Sequence, residues 1–152
     1  MRDTYPQIEK EYVDTGKIRY VLLDLPLERI HKDAFKASES TQCAKDQGKY
    51  WEMHHRLFEN QKALKPWSGH AEAIGLDLAE FEECMSSSKH ASEIRAAMKE
   101  ASKVGITGTP GFVLALSDPK DPKKAKGLTF LRGAQPFSSF KVQIDKALKT
   151  LE

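Results

Sequence analysis

The sequence predicts an α/β chain in which a block of helices is set between one early strand and a closing strand–strand–helix unit. Three observations carry this. Helical periodicity runs through most of residues 31–104. Residues 17–26 and 111–116 are β-rich and apolar on successive positions. A further short run at 128–133 can pair with 111–116 as a hairpin. With 152 residues, 39% hydrophobic and 30% charged, the chain is long enough to bury a core.

In chain order, Tyr5, Ile8, Tyr12 and Val13 share a helical face and Gly16 follows as a stop, which predicts a short helix over 2–15. "KIRYVLLDLP" (17–26) then reads as a strand buried on both faces. Four helices follow. Residues 33–47 end at Gly48, and 50–61 place Trp51, His54, Leu57 or Phe58, and Gln61 on one stripe. Residues 77–85 open with a capping box, Asp77 with Glu80, and 89–104 align Ala91, Ile94, Ala97, Met98 and Ala101 before Gly105. A helix after Pro136 with Phe137, Phe140, Ile144, Ala147 or Leu148, and Leu151 on one side closes the chain.

Composition excludes some functions. A net charge of +2 gives no reason to expect a nucleic-acid partner, and "DPKDPKKAKG" (118–127) reads as a solvated loop. No stretch approaches the ~18 apolar residues of a membrane span. "MRDTYPQIEK" lacks the apolar segment of a signal peptide, so the chain as written is expected to stay in the cytoplasm.

The chemistry-bearing residues are few. Cys43 and Cys84 both face inward, and their own positions leave a disulfide and two free buried thiols open. Neither has a companion at metal-ligand spacing, and the His54–His55 doublet points its rings about 100° apart on a helix. No metal site and no cofactor are therefore expected. Trp51, Met53, Leu57 and Phe58 read as core. His31, His70 and His90 have no acid or nucleophile at a recognisable spacing, and "GAQP" (133–136) reads as a strand-to-helix connection. The oddest stretch is "GITGTPGFVLAL" (105–116), where a proline, which cannot donate to a ladder, stands at the entrance to the most strand-like segment.

Four blocks, "GKIRYVLLDLPL", "CAKDQGKYWEMHHRLFENQ", "GITGTPGFVLA" and "LRGAQPFSSF", resemble in order and spacing the DsbA-like thiol:disulfide oxidoreductases. The resemblance implies a thioredoxin-like fold made of 1–30 and 105–152 with a helical insertion over 31–104. It implies that Pro110 is cis, a form that only proline adopts at modest cost. Gly108, Thr109 and Pro110 would then hold unfolded or reduced protein substrates through main-chain hydrogen bonds. It also implies that Cys43 and Cys84 form a non-catalytic disulfide, which favours an oxidising compartment such as the periplasm.

The family's chemistry belongs to a C-x-x-C pair at a helix N-terminus. These 152 residues contain none, so the resemblance matches a member that starts after that motif and lacks the strand before it. Without a catalytic pair the chain is expected to be redox-inactive by itself, and the strands left unpaired would drive it into a homodimer. Two rival expectations are a redox-inert peptide-binding or chaperone module and a glutathione-transferase-like relative using an upstream serine.

Overall fold

The computed structural model describes residues 3–121 and 124–151, so part of the lysine-rich run, Pro122 and Lys123, lies outside the described residues. Helix α1 (Tyr5–Ile8) continues into a π-helical turn, Glu9–Val13, in which the Asp14 N–H donates to the Glu9 carbonyl at 2.9 Å. Five helices follow: α2 (Ala34–Asp46), α3 (Tyr50–Glu59), α4 (Trp67–Ala73), α5 (Leu78–Ser86) and α6 (Ala91–Lys103). Strands β1 (Gly111–Ser117) and β2 (Ala125–Arg132) pair antiparallel from Gly111↔Arg132 to Ser117↔Ala125, with a bulge at Leu114/Ala115, and α7 (Phe137–Leu148) ends the chain. The α/β, thioredoxin-like order with its block of helices is therefore present.

The chain divides into two compact units. One joins Met1–Leu22 to Ile106–Glu152, and the other is Leu23–Gly105. In the first, Ile8 and Tyr12 pack with Phe140 and Ile144 of α7, and Phe112, Leu114 and Leu131 of the hairpin close over them. The second is centred on Cys43, Met53, Leu57, Ala71, Leu76, Phe81 and Cys84. The helix faces that enter these two cores are apolar because removing apolar surface from water stabilises at roughly 25 cal/mol per Å².

Four expectations need correction. Residues 17–26 form no strand: the described residues contain one two-stranded sheet, β1–β2, and Val21 and Leu23 are 59% and 71% exposed. An apolar β-rich run becomes a strand only where a ladder partner satisfies its backbone, and none pairs with it here. In α3 the buried side chains are Met53 and Leu57, whereas Trp51 and Phe58 are exposed, so the stripe through Trp51 and Phe58 is not core. Leu151, expected on the packed side of the last helix, is exposed. Strand β2 begins at Ala125, three residues before the expected start, which shortens the charged loop.

Candidate functional site

Helix α6 stops at Gly105, whose φ of +74° suits glycine, and residues 106–110 lead into β1. Gly108 and Thr109 are exposed, Pro110 is half-buried, and the Thr109–Pro110 peptide bond is cis, as is Lys65–Pro66. The Gly133 N–H donates to the Pro110 carbonyl at 2.8 Å, which ties this segment to the end of β2. Antiparallel pairing alternates, so if Pro110 faces β2, the backbone groups of Gly111 and Val113 face the other edge. That edge has no strand beside it among the described residues. A Cβ at position 111 would lie 2.9 Å from Ile106 Cγ2 and 3.3 Å from a Phe130 ring carbon, so a larger residue there would force Ile106 to shift. The Gly133 N–H is spent on Pro110, which leaves "GAQP" a connection, with Thr4 Oγ1 donating to the Gln135 carbonyl at 3.1 Å.

Cys43 of α2 and Cys84 of α5 form a disulfide, their Cα atoms 5.9 Å apart and both residues buried. Its surroundings were not legible from spacing. Asp46 Oδ2 lies 4.0 Å from Cys84 Sγ and 2.8 Å from both Lys89 Nζ and His90 Nε2. Burial pushes the Asp46 carboxyl up, but the bonds from Lys89 and His90 outweigh it and hold the group below the usual carboxylate range. The α2 spacing Cys43-x-x-Asp46 is one helical turn and could have been noticed. Nothing in the sequence placed His90 there.

Two further histidines, His70 and His54, lie among other side chains of the helical unit. His70 is buried, its Nδ1 accepting from Arg56 Nε at 3.1 Å, and His54 is pushed down to about 4 by burial and by neighbouring His55. Among the described residues no helix is long and apolar enough to cross a membrane.

A family model described as thioredoxin matches residues 1–131. The crystal structure of Wolbachia pipientis alpha-DsbA1 matches with a TM-score of 0.77 and 26% identity, over 98% of this chain and 77% of that one. The chain belongs to the thioredoxin family and is DsbA-like. The "probable disulfide bond formation protein D" of Bacillus anthracis is 21% identical over 95% of this DsbA-like chain and 64% of its own length. The "Na(+)/H(+) antiporter NhaA 1" of Salinispora arenicola is 37% identical over 109 residues, and the "Na(+)/H(+) antiporter NhaA 3" of Salinispora tropica is 35% identical over the same length. The chain spans about 17% of the length of these two antiporters.

Proposed function

We infer that this chain is the substrate-holding part of a protein disulfide oxidoreductase that exchanges disulfides with exported proteins in the periplasm. In this reading 1–30 and 105–152 form a thioredoxin-like body and 31–104 a helical insertion. The observation that carries it is the Gly108–Thr109–Pro110 segment, exposed at Gly108 and Thr109, running into the open edge of β1 in a DsbA-like chain. An extended peptide laid along that edge would pair with the outward backbone groups of Gly111 and Val113, which is recognition independent of side-chain identity. Gly108 and Thr109 would continue the contact. The buried Cys43–Cys84 disulfide supports an oxidising compartment.

The chain by itself has no redox turnover in this reading. Thiol–disulfide exchange needs a thiolate that can reach the attacked sulfur. Its only cysteines, Cys43 and Cys84, are bonded to each other, 2% and 7% exposed. This also favours a second reading, a redox-inert module that binds unfolded peptides. A homodimer formed through the open strand edge belongs to the same proposal.

Two measurements on the intact chain test it. An insulin-reduction assay should show no rate above the reductant alone, and a turnover abolished by Cys43→Ser or Cys84→Ser would overturn the assignment of the cysteines. Titration of an unfolded, reduced peptide into 15N-labelled protein should shift the amides of Gly108, Thr109, Gly111 and Val113. Shifts confined to other residues would remove the peptide platform. Suppression of aggregation at stoichiometric amounts, with no peptide-disulfide exchange after a C-x-x-C helix is supplied in the same chain, would favour the module.

A further inference from the structure

The neighbourhood of the disulfide holds more than the cross-link needs. A sulfur of Cys43, a sulfur of Cys84 and an imidazole nitrogen of His90 all lie within 4.8 Å of one another. Asp46 Oδ2 stands 4.0 Å from Cys84 Sγ. Two sulfurs and one imidazole thus converge from α2, α5 and the residue that precedes α6, and the Asp46 carboxylate stands beside them, 2.8 Å from His90 Nε2. Thiolate and imidazole donors select a zinc-class cation over magnesium or calcium, and these three leave a fourth tetrahedral position that the adjacent Asp46 carboxylate can fill.

We propose that the reduced chain holds one zinc-class divalent cation between Cys43, Cys84, His90 and Asp46, so that disulfide and metal are alternative cross-links between α2 and α5. The redox step uses a dithiol reductant. Two electrons and two protons pass to the S–S bond, giving two thiols, and the reductant leaves as its own disulfide. Cation binding then displaces the two thiol protons and forms two metal–sulfur bonds.

Forming the set requires the two sulfurs to separate and His90 to leave Asp46. Tetrahedral zinc with bonds of about 2.3 Å needs sulfurs roughly 3.7 Å apart. Cα atoms 5.9 Å apart can supply that separation by side-chain rotation. His90 Nε2 would turn from Asp46 to the cation, while Nδ1 stays beside Glu93 Oε2, 3.5 Å away. A carboxylate behind a ligating imidazole fixes the ring and raises its basicity.

The charges also balance. Two thiolates and one carboxylate exceed a doubly charged cation by one negative charge, and the Lys89 ammonium, 2.8 Å from Asp46 Oδ2, offsets it. A cavity of about 310 Å³ lined by Cys43, Asp46, Glu80, Glu83, Cys84 and Lys89 gives a cation access to the sulfurs.

The test uses the intact chain, reduced anaerobically with a phosphine that is then removed, and titrated with Co²⁺ alone and afterwards with Zn²⁺. The expected result is one equivalent of Co²⁺ bound, with a thiolate-to-cobalt charge-transfer absorption that Zn²⁺ bleaches, and no such band from the oxidised chain. His90→Ala and Asp46→Asn, whose folding is checked by circular dichroism while the disulfide is intact, should each weaken binding by about tenfold or more. The proposal is overturned if the reduced parent shows no charge-transfer band, or if both variants bind within about twofold of it, which would mean two thiols binding metal unaided. It is also overturned if the reduced chain loses its helical signal and Zn²⁺ does not restore it.

Discussion

Tyr12 shows how one polar atom is accommodated in an apolar core. The residue is almost fully buried against Ile8, Phe140 and Ile144, and its hydroxyl donates to Asp145 Oδ1 at 2.6 Å. Lys141 bonds Glu11, lies 3.2 Å from Asp145 Oδ2, and sits 5.6 Å from the Tyr12 ring centroid. Burial, then the bond to Asp145, pushes the Tyr12 phenol up to about 12. The same bond, with Lys141, holds the Asp145 carboxyl below the usual carboxylate range. A raised phenol stabilises the fold fully below its unfolded value of about 10, and the benefit is lost as pH rises through about 12. The lowered carboxyl contributes above its unfolded value of about 3.9 and loses that contribution as pH falls through its folded value. Tyr12→Phe should therefore lower stability at pH 7 by on the order of 1 kcal/mol. It should also abolish the part of the alkaline loss between pH 10 and 12 that the phenol causes. Urea denaturation followed by circular dichroism at pH 7, 10 and 12 measures both. The helical stripe disclosed Tyr12 as core, but its partner lies 133 residues away and no local pattern names it.

Helix α5 positions Cys84, and its start is fixed by one side chain. Asp77 Oδ1 accepts from the Glu80 N–H at 2.9 Å, while Gln47 receives the Asp77 N–H at 2.8 Å and donates to the Asp77 carbonyl at 3.1 Å. Asp77→Ala should cost about 1 kcal/mol and Asp77→Asn much less, because asparagine caps equally well. Urea midpoints at constant slope would show the difference, and equal midpoints for the two variants would mean that the cap contributes nothing. Half of the expected capping box was legible because that bond is local, donor and acceptor three residues apart, whereas the Asp77 N–H goes to Gln47, thirty residues away, instead of the Glu80 side chain. The face of α6 was legible too, since Ile94 is buried and Ala91, Ala97, Met98 and Ala101 are its half-buried neighbours. Helix α4 is too short for periodicity, and only Pro66 at its start and Gly75 just past its end mark it. In α3 two apolar stripes compete, and the choice of Met53 and Leu57 over Trp51 and Phe58 depends on what the helix packs against. The failure at 17–26 is of the same kind, because a strand is a property of a pair. The Gly108–Thr109–Pro110 segment stood out in the sequence by its proline, whereas the grouping of Asp46 and His90 around the disulfide depends on three elements meeting.

At the scale of the whole molecule, the hairpin is covered on one side only. Phe112, Leu114 and Leu131 turn into the α1–α7 core, while Val113, Leu128 and Phe130 are exposed, Val113 at 49%. Val113 pairs with Phe130 across the ladder, so these side chains form one apolar strip. Beside it runs the outer edge of β1 with the backbone groups of Gly111 and Val113. Helices commonly cover both faces of a sheet in α/β domains. An edge that is both apolar and unpaired is a template for another strand. A second copy supplies one by symmetry, and a two-fold contact of β1 with β1 gives a four-stranded sheet with the two β2 strands at its outer edges. The chain should therefore sediment and scatter light at twice its 17.1 kDa mass and dissociate on dilution. Val113→Lys places a charge on the strip without entering the α1–α7 core, and should give a monomer with unchanged circular dichroism. A parent chain that remains monomeric across a thousandfold concentration series would rule out the strand-edge dimer. Binding of the unfolded peptide should compete with dimerisation, since both use the backbone of Gly111 and Val113. Peptide added to the parent chain should then lower the scattered mass, and added to Val113→Lys it should leave the mass of the monomer unchanged apart from the ligand itself.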